Sequence, residues 1–323
     1  MGYAYIIEKQ GGCEVLKKTK LIDRAVEPGC IIIRQQYLGL NFNDIALRRG
    51  DRLVNSKFIP GTEACGVVEA VAPDVSDFKP GDKVVYATAP IGANVSIRML
   101  KAKFAVKVPD FIPMEEVCGF YLKALWAYIL IHRVYKVTKQ NSVLIHSAAG
   151  GVGTILTQLL KHNGNKIIGT VGTEEKVEFA QQNGCQKAII YNHPNFFKTV
   201  CELTGNLGVN VVYDPIGNDV FESSLLALGV FGLLISYGAN SGSIKKMYPE
   251  TLAKKSLFVS CPSFLQYLSS RGELENISHS IFELRKTNVI KNNICKFFTF
   301  DELRHAHKFL EERKAIGSVV IKL

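Results

Sequence analysis

One stretch of the chain places a buried strand, a glycine turn and the start of a helix in succession. The apolar run Val143 to Ile145 is followed by Ser147-Ala148-Ala149-Gly150-Gly151-Val152-Gly153, and a helical pattern begins at Thr154. Glycines in such a turn let backbone N–H groups approach a phosphate, and the N-terminus of the helix adds positive partial charge. This order of elements is typical of the turn that binds the pyrophosphate of a dinucleotide. The predicted phosphate-binding residues are Gly150, Gly151, Val152 and Gly153.

The elements around this turn alternate between strands and helices from residue 143 onward. Predicted strands are Val143–His146, Lys166–Val171, Ala188–Tyr191, Val209–Asp214, Gly232–Tyr237 and Leu257–Ser260. Predicted helices are Thr154–His162, Thr173–Gln182, Phe196–Leu203 and Asp219–Leu228. Alternation at this spacing indicates an α/β domain with a doubly wound parallel sheet.

The first 110 residues follow a different pattern. Short apolar runs are separated by turn signals such as Pro60-Gly61 and Pro80-Gly81, which predicts a β-rich region. A long helical pattern over residues 114–135 follows as a bridge between domains. After a helix at Glu273–Lys286, the chain ends in strand, helix and strand, and the last strand is expected to rejoin the β-rich region.

Composition limits the class of protein. The chain has 323 residues, 47% hydrophobic and 21% charged, with a net charge of +10 and a pI of about 9.1. The basic residues are scattered, so they indicate a basic surface or an anionic partner such as a phosphorylated cofactor, without a nucleic-acid-binding arm. None of the eight cysteines forms a Cys-x-x-Cys pair, and the longest apolar stretch, Phe120 to Ile131, is short for a membrane span. We expect a cytoplasmic protein with free thiols and no membrane segment.

Several motifs occur in an order that resembles one known family. They include Gly11-Gly12-Cys13-Glu14, Asn41-Phe42-Asn43-Asp44, Gly61-Thr62-Glu63-Ala64-Cys65-Gly66, Gly81-Asp82-Lys83-Val84 and Gly169-Thr170-Val171-Gly172-Thr173, besides the glycine turn. In this order they resemble the zinc-independent quinone oxidoreductases of the medium-chain dehydrogenase/reductase superfamily, the group that contains zeta-crystallin. The resemblance implies a GroES-like catalytic domain at 1–122, a Rossmann domain that binds NADPH at 123–288, and a C-terminal return to the catalytic domain at 289–323. It also implies a homodimer.

The residues at the metal position depart from those of zinc enzymes. Zinc-dependent relatives of this family hold the metal with a Cys, a His and a Glu, because zinc takes N and S donors in tetrahedral geometry. The corresponding positions resemble Asn41, Thr62 and Glu63, so only the carboxylate is kept. Residues 86–117 also contain no cysteine, so the structural zinc lobe is missing. We expect no bound metal.

The residues after the second strand of the alternating region bear on cofactor choice. A carboxylate there would bind the ribose 2′-OH of NAD and reject a 2′-phosphate. That position resembles Gly172, followed by Thr173 and Lys176, which favours NADPH. The alternative is that Thr173 is only a helix cap and Lys176 only a solvated side chain. By resemblance, the cofactor is also lined by Asn41, Phe42, Tyr191, Ile216, Gly238, Ala239, Asn240, Cys261 and Pro262, with Arg313 near the phosphate.

Substitutions in the expected pocket separate the chain from its family. Two tyrosines common in relatives are replaced by Ala46 and Arg52, and Trp126, the only tryptophan, stands where relatives have a small polar residue. Because protein interiors are close-packed, we hypothesise that Trp126 fills part of the volume that the tyrosine at Ala46 would occupy. Trp126 would then form an aromatic wall of the pocket. The alternative is that Trp126 only packs in a domain core.

Three functions remain open from the sequence. The main interpretation is an NADPH-dependent quinone reductase, in which Asn41 offers a hydrogen bond to a substrate carbonyl. The alternative is a reductase of α,β-unsaturated carbonyls or enoyl thioesters, although the tyrosines that would donate a proton are missing. Nucleic-acid binding is a lesser alternative. We expect His146, His307 and Asp214 to be structural rather than catalytic residues.

Overall fold

The computed structural model describes residues 2–22, 25–54, 56–191 and 195–323, and the chain divides into two compact units. The first takes in the chain up to Lys123, together with residues 268–286 and 292–323. The second consists of residues 124–267 and 287–291. Each has its own cluster of buried apolar residues. We call them the β-rich unit and the parallel-sheet unit.

The helices and strands, in chain order, are as follows. The strands are β1 (Gly2–Ile6), β2 (Lys17–Leu21), β3 (Cys30–Leu40), β4 (Glu63–Val71), β5 (Lys83–Tyr86), β6 (Ile97–Lys101), β7 (Val106–Lys107), β8 (Ser142–Ile145), β9 (Lys166–Val171), β10 (Lys187–Ile190), β11 (Val209–Asp214), β12 (Leu228–Ser236), β13 (Phe258–Ser260), β14 (Ile294–Thr299) and β15 (Ser318–Lys322). The helices are α1 (Phe42–Arg49), α2 (Met114–Ile129), α3 (Gly151–His162), α4 (Glu175–Asn183), α5 (Phe196–Leu203), α6 (Phe221–Ala227), α7 (Pro249–Ala253), α8 (Phe264–Tyr267), α9 (Arg271–Lys286) and α10 (Leu303–Glu311).

The β-rich unit is organised around β3, its longest strand. One edge of β3 pairs with β4, and the other edge pairs with β6 and then with β15, all antiparallel. Apolar side chains of these strands, including Ile33, Val68, Val319 and Ile321, belong to one buried cluster. The end of the chain therefore returns to the β-rich unit, as the sequence predicts.

Helix α9 corrects one predicted boundary. The sequence places residues 123–288 in the Rossmann domain, but residues 268–286 group with the β-rich unit. The reason is a set of contacts far apart in sequence. Tyr121 stacks on Phe282, with ring centroids 5.8 Å apart, and its hydroxyl lies 2.7 Å from that of Ser278. Arg285 pairs with Glu116 at 2.5 Å.

The parallel-sheet unit has the strand order β10-β9-β8-β11-β12-β13, with every neighbouring pair parallel. If β8 is numbered as strand 1 of this sheet, the order is 3-2-1-4-5-6, as in dinucleotide-binding folds. The strand order reverses between β8 and β11, which is the topological switch point. Strands that are covered by helices on both faces have continuous apolar sequences, because neither face is exposed to solvent. This is why the six strands were predictable, and the predicted doubly wound sheet is confirmed.

The local predictions were less accurate outside that sheet. Strand β2, with the sequence Lys-Lys-Thr-Lys-Leu, was not predicted because it lacks an apolar face. Within the predicted strand Phe104–Val108, Phe104 instead ends a short 3₁₀ turn and only Val106–Lys107 is strand. Helix α2 continues as a π-helix to Val134, and by length and composition this continuous helix is apolar enough to cross a membrane. However, 67% of its apolar window is buried inside the protein, as in a core helix.

His146 is a structural residue, as expected. It is fully buried, with Nδ1 2.7 Å from the Thr170 hydroxyl and Nε2 2.8 Å from the Ser224 hydroxyl. Because the Ser224 hydroxyl donates its hydrogen to the Val220 carbonyl, it accepts from Nε2, and Nδ1 accepts from Thr170. Burial lowers the pKa of His146 to about 3, so the ring is neutral at ordinary pH.

His307 is buried in the β-rich unit without such bonds. Neither ring nitrogen has a hydrogen-bond partner among the described residues. Burial, with the nearby charge of Arg48, lowers the pKa of His307 to about 3. An unfolded histidine has a pKa of about 6.5, so between these values the unfolded chain binds a proton that the native protein does not. Stability is therefore lost as the pH falls through this window.

Replacing His307 with Leu should reduce this acid sensitivity. Relative to the wild type, we expect the free energy of unfolding to rise as the pH falls below 6.5, by at most about 1.4 kcal/mol per pH unit. Near neutral pH the two proteins should be similar, because no hydrogen bond is removed. Urea denaturation at several pH values measures the difference. The exposed neighbour His305 provides a control, His305→Leu, and an equal pH dependence for wild type and His307→Leu would disprove the assignment.

Candidate active site

The glycine turn lies at the centre of the parallel sheet. It follows β8, and α3 begins at Gly151. A Cβ atom on Gly153 would lie 2.2 Å from the Ser147 carbonyl oxygen, so only glycine allows the first turn of α3 to approach the turn this closely. The first N–H groups of a helix have no partner within the helix. The turn therefore presents backbone donors and the positive end of α3 at the place where a pyrophosphate binds.

The other predicted cofactor residues of this unit lie at one edge of the sheet. They all follow the carboxyl ends of strands, where open parallel sheets bind ligands. Gly172 and Thr173 follow β9, Tyr191 follows β10, Ile216 follows β11, Gly238, Ala239 and Asn240 follow β12, and Cys261 and Pro262 follow β13.

The turn after β9 leaves space for a ligand. A Cβ atom on Gly172 would meet only the Tyr191 ring, at 3.5 Å, so the glycine is not required by the packing of the protein itself. Helix α4 begins at Glu175, and the side chain of the preceding Glu174 makes no capping hydrogen bond. Lys176 lies in the first turn of α4 and is partly exposed. An open turn without a carboxylate at Gly172 is what a 2′-phosphate requires.

Asp214 stabilises the neighbouring loop, as expected. Its Oδ1 accepts hydrogen bonds from the backbone N–H of Ile216 at 2.7 Å and of Gly217 at 3.1 Å. Burial raises the pKa of Asp214 to about 6, and the two N–H donors oppose the shift. The loop after β12 packs against this loop, with Asn240 donating its N–H to the Pro215 carbonyl at 3.0 Å.

A second group of polar residues lies in the β-rich unit. Oε2 of Glu63 accepts from Lys123 Nζ at 3.1 Å and from Asn41 Nδ2 at 3.0 Å, while Oε1 accepts from the backbone N–H of Leu122 at 2.9 Å. Glu63 is fully buried and Lys123 almost so. We call Asn41, Glu63 and Lys123 the Glu63 cluster. Burying these two charges is tolerable only because they are paired and hydrogen-bonded.

The Glu63 cluster reaches into the middle of α2. Lys123 also donates to the Cys118 carbonyl at 2.8 Å, the carbonyl that the N–H of Leu122 would bond in a regular helix. Glu63 and Lys123 thus bind a donor and an acceptor of the same helical turn. Gly39 makes room for the carboxylate, because a Cβ there would lie 2.0 Å from Glu63 Oε2.

The geometry restricts what Asn41 can do. Its Nδ2 donates to the Gly39 carbonyl at 3.2 Å and to Glu63. Both partners are acceptors only, so this atom must be the amide nitrogen, and both of its hydrogens are in use. A substrate carbonyl would have to displace one of these bonds to receive a hydrogen bond from Asn41. The role of Asn41 as a donor therefore stays a prediction.

Asp44 links the Glu63 cluster to α1. Its Oδ2 accepts from the Asn41 backbone N–H at 2.9 Å, and its Oδ1 accepts from the Thr62 hydroxyl at 3.1 Å. Burial raises the pKa of Asp44 to about 7, although these two bonds oppose the shift. Burial therefore favours the protonated form of this carboxyl, beside the residues at which zinc-dependent relatives bind their metal.

The remaining predicted site residues are divided between the units. Phe42 is the first residue of α1, and the guanidinium of Arg49 lies 5.8 Å from its ring centroid. Arg313 follows α10 in the β-rich unit, with a left-handed backbone. Trp126 belongs to the parallel-sheet unit, where it packs against Phe264 and Tyr237. Its predicted position beside Ala46, a residue of the β-rich unit, stays a prediction.

No group of three or more His, Cys, Asp or Glu side chains suited to a metal occurs in the described parts of the chain. The donors at the position used by zinc enzymes are an amide and a hydroxyl in place of a thiolate and an imidazole, and Glu63 is already bound to an ammonium group. These residues do not fit a catalytic zinc.

Sequence reasoning missed the partner of Glu63. Lys123 interrupts the apolar stretch from Phe120 to Ile131, and a lysine inside a buried helix has to be paired. That signal pointed to a buried carboxylate but not to Glu63 in particular. The contacts of Trp126 with Tyr237 and Phe264 were also missed. They depend on where β12 and β13 end in space, which no local pattern shows.

We expect Lys123→Met to destabilise the protein by about 3–5 kcal/mol, because it leaves the Glu63 carboxylate buried without its cation. Adding Glu63→Gln should recover part of this loss, because it removes the uncompensated charge. Urea denaturation at neutral pH measures both variants. The matched control is Lys83→Met, whose partner Asp110 is exposed, and it should cost less than about 1 kcal/mol. A similarly small loss for Lys123→Met would contradict the role given to the pair.

Known proteins match the chain over its whole length. Residues 27–140 match the alcohol dehydrogenase GroES-like domain, and residues 151–275 match the family described as zinc-binding dehydrogenase. A 2-haloacrylate reductase from Burkholderia sp. is 36% identical, with 99% of each chain covered. Quinone oxidoreductase 1 of Escherichia coli is 35% identical, with 97% of each chain covered.

A solved structure agrees with these similarities. The Escherichia coli quinone oxidoreductase complexed with NADPH is 34% identical, matches with a TM-score of 0.96, and covers 99% of this chain and 100% of its own. The fold, the strand order and the sequence identity over the full length therefore all indicate the same family. The chain belongs to the quinone oxidoreductase family of the medium-chain dehydrogenase/reductase superfamily, with a GroES-like domain and a Rossmann domain.

Proposed function

We propose that the protein is an NADPH-dependent quinone oxidoreductase that works without a metal. The observation that carries this proposal is the open turn at Gly172, in a parallel sheet whose glycine turn is shaped for a pyrophosphate. Full-length similarity to quinone oxidoreductases, one of them solved with NADPH, supports it.

The residues of the parallel-sheet unit fit the parts of this cofactor. The N–H groups at Gly151, Val152 and Gly153 would hold the pyrophosphate, and Thr173 and Lys176 would contact the 2′-phosphate. The loops after β11, β12 and β13 would line the nicotinamide end. When bound, NADPH supplies a hydride, and the protein's task is to hold the acceptor in place.

A quinone suits the residues of the β-rich unit. The Lys123 ammonium is neutralised by Glu63, so it is not available to polarise a substrate carbonyl strongly. A quinone needs little such activation, because its reduced oxygens take protons readily from solvent. Asp44 and Thr62 could also hold a proton near Asn41, since the pKa of Asp44 is raised to about 7 by burial.

A second candidate is the reduction of an activated carbon–carbon double bond. The specific observation in its favour is the 36% identity to 2-haloacrylate reductase over the full length. This chemistry adds a hydride at one carbon and a proton at the next, so it benefits from a positioned proton donor. Ala46 and Arg52 replace the tyrosines that could serve, which makes this function the weaker proposal.

We also propose that the protein is a cytoplasmic homodimer. Strand β13 is the last strand of its sheet, and Phe258 on it is 59% exposed. Val230 and Phe231 on the neighbouring β12 are exposed as well. An open strand edge with exposed apolar side chains favours pairing with a second copy. Sedimentation of the purified protein as a monomer at micromolar concentration would argue against it.

An acceptor panel tests the proposed activity. NADPH consumption should be rapid with quinones, slower with enones and 2-haloacrylates, and unchanged by a chelator. The purified protein should also contain no stoichiometric zinc by elemental analysis. If nucleic-acid binding were the main function instead, affinity for nucleic acid should fall steeply with salt, and NADPH would hardly be consumed with any acceptor.

Lys176 should distinguish NADPH from NADH. We expect Lys176→Ala to weaken NADPH binding by about 1–3 kcal/mol, the range for hydrogen bonds to charged groups, and to leave NADH binding almost unchanged. Isothermal titration measures both cofactors. Gly172→Asp should shift the preference toward NADH, whereas Gly172→Ala should preserve it, because its Cβ makes only an ordinary contact with Tyr191. An equal loss for both cofactors in Lys176→Ala would show that Lys176 does not contact the phosphate.

A further inference from the structure

Three aromatic rings meet in the parallel-sheet unit. The centroid of the Trp126 ring lies 4.9 Å from that of Phe264 and 6.0 Å from that of Tyr237, with tilted ring planes. The rings come from three separate elements, since Trp126 lies on α2, Tyr237 follows β12 and Phe264 begins α8. All three side chains are partly exposed. We call these three residues the aromatic wall.

The aromatic wall lies at the carboxyl ends of the parallel strands, the edge of the sheet where ligands bind. Tyr237 lies just beyond the carboxyl end of β12, and Phe264 follows β13 by four residues. Gly172 and Tyr191, at the predicted 2′-phosphate site, follow strands on the other side of the switch point. In a doubly wound sheet the two halves bind the two ends of the dinucleotide. The aromatic wall therefore lies in the half opposite to Gly172, which would bind the nicotinamide end.

We propose that the aromatic wall binds the planar ring of the hydride acceptor, and that it selects fused-ring quinones over short acyclic acceptors. This inference rests on the proposed function and names the substrate class for it. Aromatic rings attract other flat rings through offset-stacked or edge-to-face contacts, at centroid separations of about 4.5–7 Å. A short acyclic acceptor presents no ring face and gains little from such a surface.

The chemistry of the three side chains fits a quinone. Trp and Tyr combine an apolar ring with an N–H or O–H that can donate to a carbonyl oxygen. Burial raises the pKa of Tyr237, so its hydroxyl is protonated at ordinary pH. Phe264 adds apolar surface without a polar group. The combination favours a flat, neutral acceptor with carbonyl groups at its edge.

Trp126 allows a test that does not depend on turnover. It is the only tryptophan, so indole fluorescence reports this one ring. We would load the wild-type protein with NADP⁺, which cannot reduce the acceptor, and titrate it with a 1,4-naphthoquinone and with an acyclic enone. We expect saturable quenching by the naphthoquinone and little change with the enone, after correction for light absorbed by each titrant.

Steady-state kinetics with Phe264→Leu supply the second readout. We expect the KM for the naphthoquinone to rise about three- to ten-fold, because one stacking contact is lost. The KM for NADPH and for 2-chloroacrylate should remain unchanged. Trp126→Ala should raise the naphthoquinone KM further, and Trp126→Phe, which keeps a ring, should have the smallest effect. Phe297→Leu, at an exposed aromatic in the β-rich unit, is the matched control and should change nothing.

Two results would overturn the aromatic wall. One is the absence of saturable quenching by the naphthoquinone, and the other is an equal rise in KM for NADPH and naphthoquinone in Phe264→Leu, which would assign the rings to the cofactor. Failure of the wild type to oxidise NADPH with any quinone would instead refute the proposed function. In that case the fluorescence titration alone decides whether the rings bind a flat acceptor.

Discussion

The buried ion pair between Glu63 and Lys123 is the interaction on which the polar residues of the β-rich unit depend. A carboxylate without access to water is stable only if its oxygens are bound by donors, and here an ammonium, an amide and a backbone N–H supply them. These donors come from α2 and from the loop before α1, while Glu63 lies at the start of β4. One carboxylate thus holds three elements together, and Gly39 provides the space it occupies.

This ion pair also supplies the positive charge that the buried Glu63 carboxylate requires. In zinc-dependent members of the superfamily the corresponding glutamate accompanies a divalent cation, whereas here the positive charge comes from Lys123. The ammonium donates to Glu63 and to the Cys118 carbonyl, so its charge is offset by the buried carboxylate. An active site built in this way suits acceptors that need positioning more than polarisation, and quinones are such acceptors.

The sequence revealed the parts of the fold that follow from local pattern. The six strands of the Rossmann sheet and the glycine turn could be predicted because burial on both faces and a tight turn restrict residue types locally. The Glu63–Lys123 pair joins residues 60 positions apart, and no local pattern identifies the partner. The same limit explains the misplaced α9, because its unit is decided by contacts such as that of Tyr121 with Ser278. It also explains why the orientation of the Asn41 amide could not be predicted, since two acceptors, from Gly39 and Glu63, set it.

The two activities of the similar proteins make different electrostatic demands. A 2-haloacrylate carries a carboxylate, so its binding is favoured by a cation that is not already neutralised. In the Glu63 cluster the lysine is paired with Glu63, and on nearby α1 the buried Arg48 is paired with Glu311 at 2.6 Å. Trp126, Tyr237 and Phe264 are uncharged and offer ring faces. Each of these two groups of residues therefore favours a neutral, planar acceptor over a small anionic enoate. A carboxylate would need another cation, such as Arg52 at the position of a missing tyrosine.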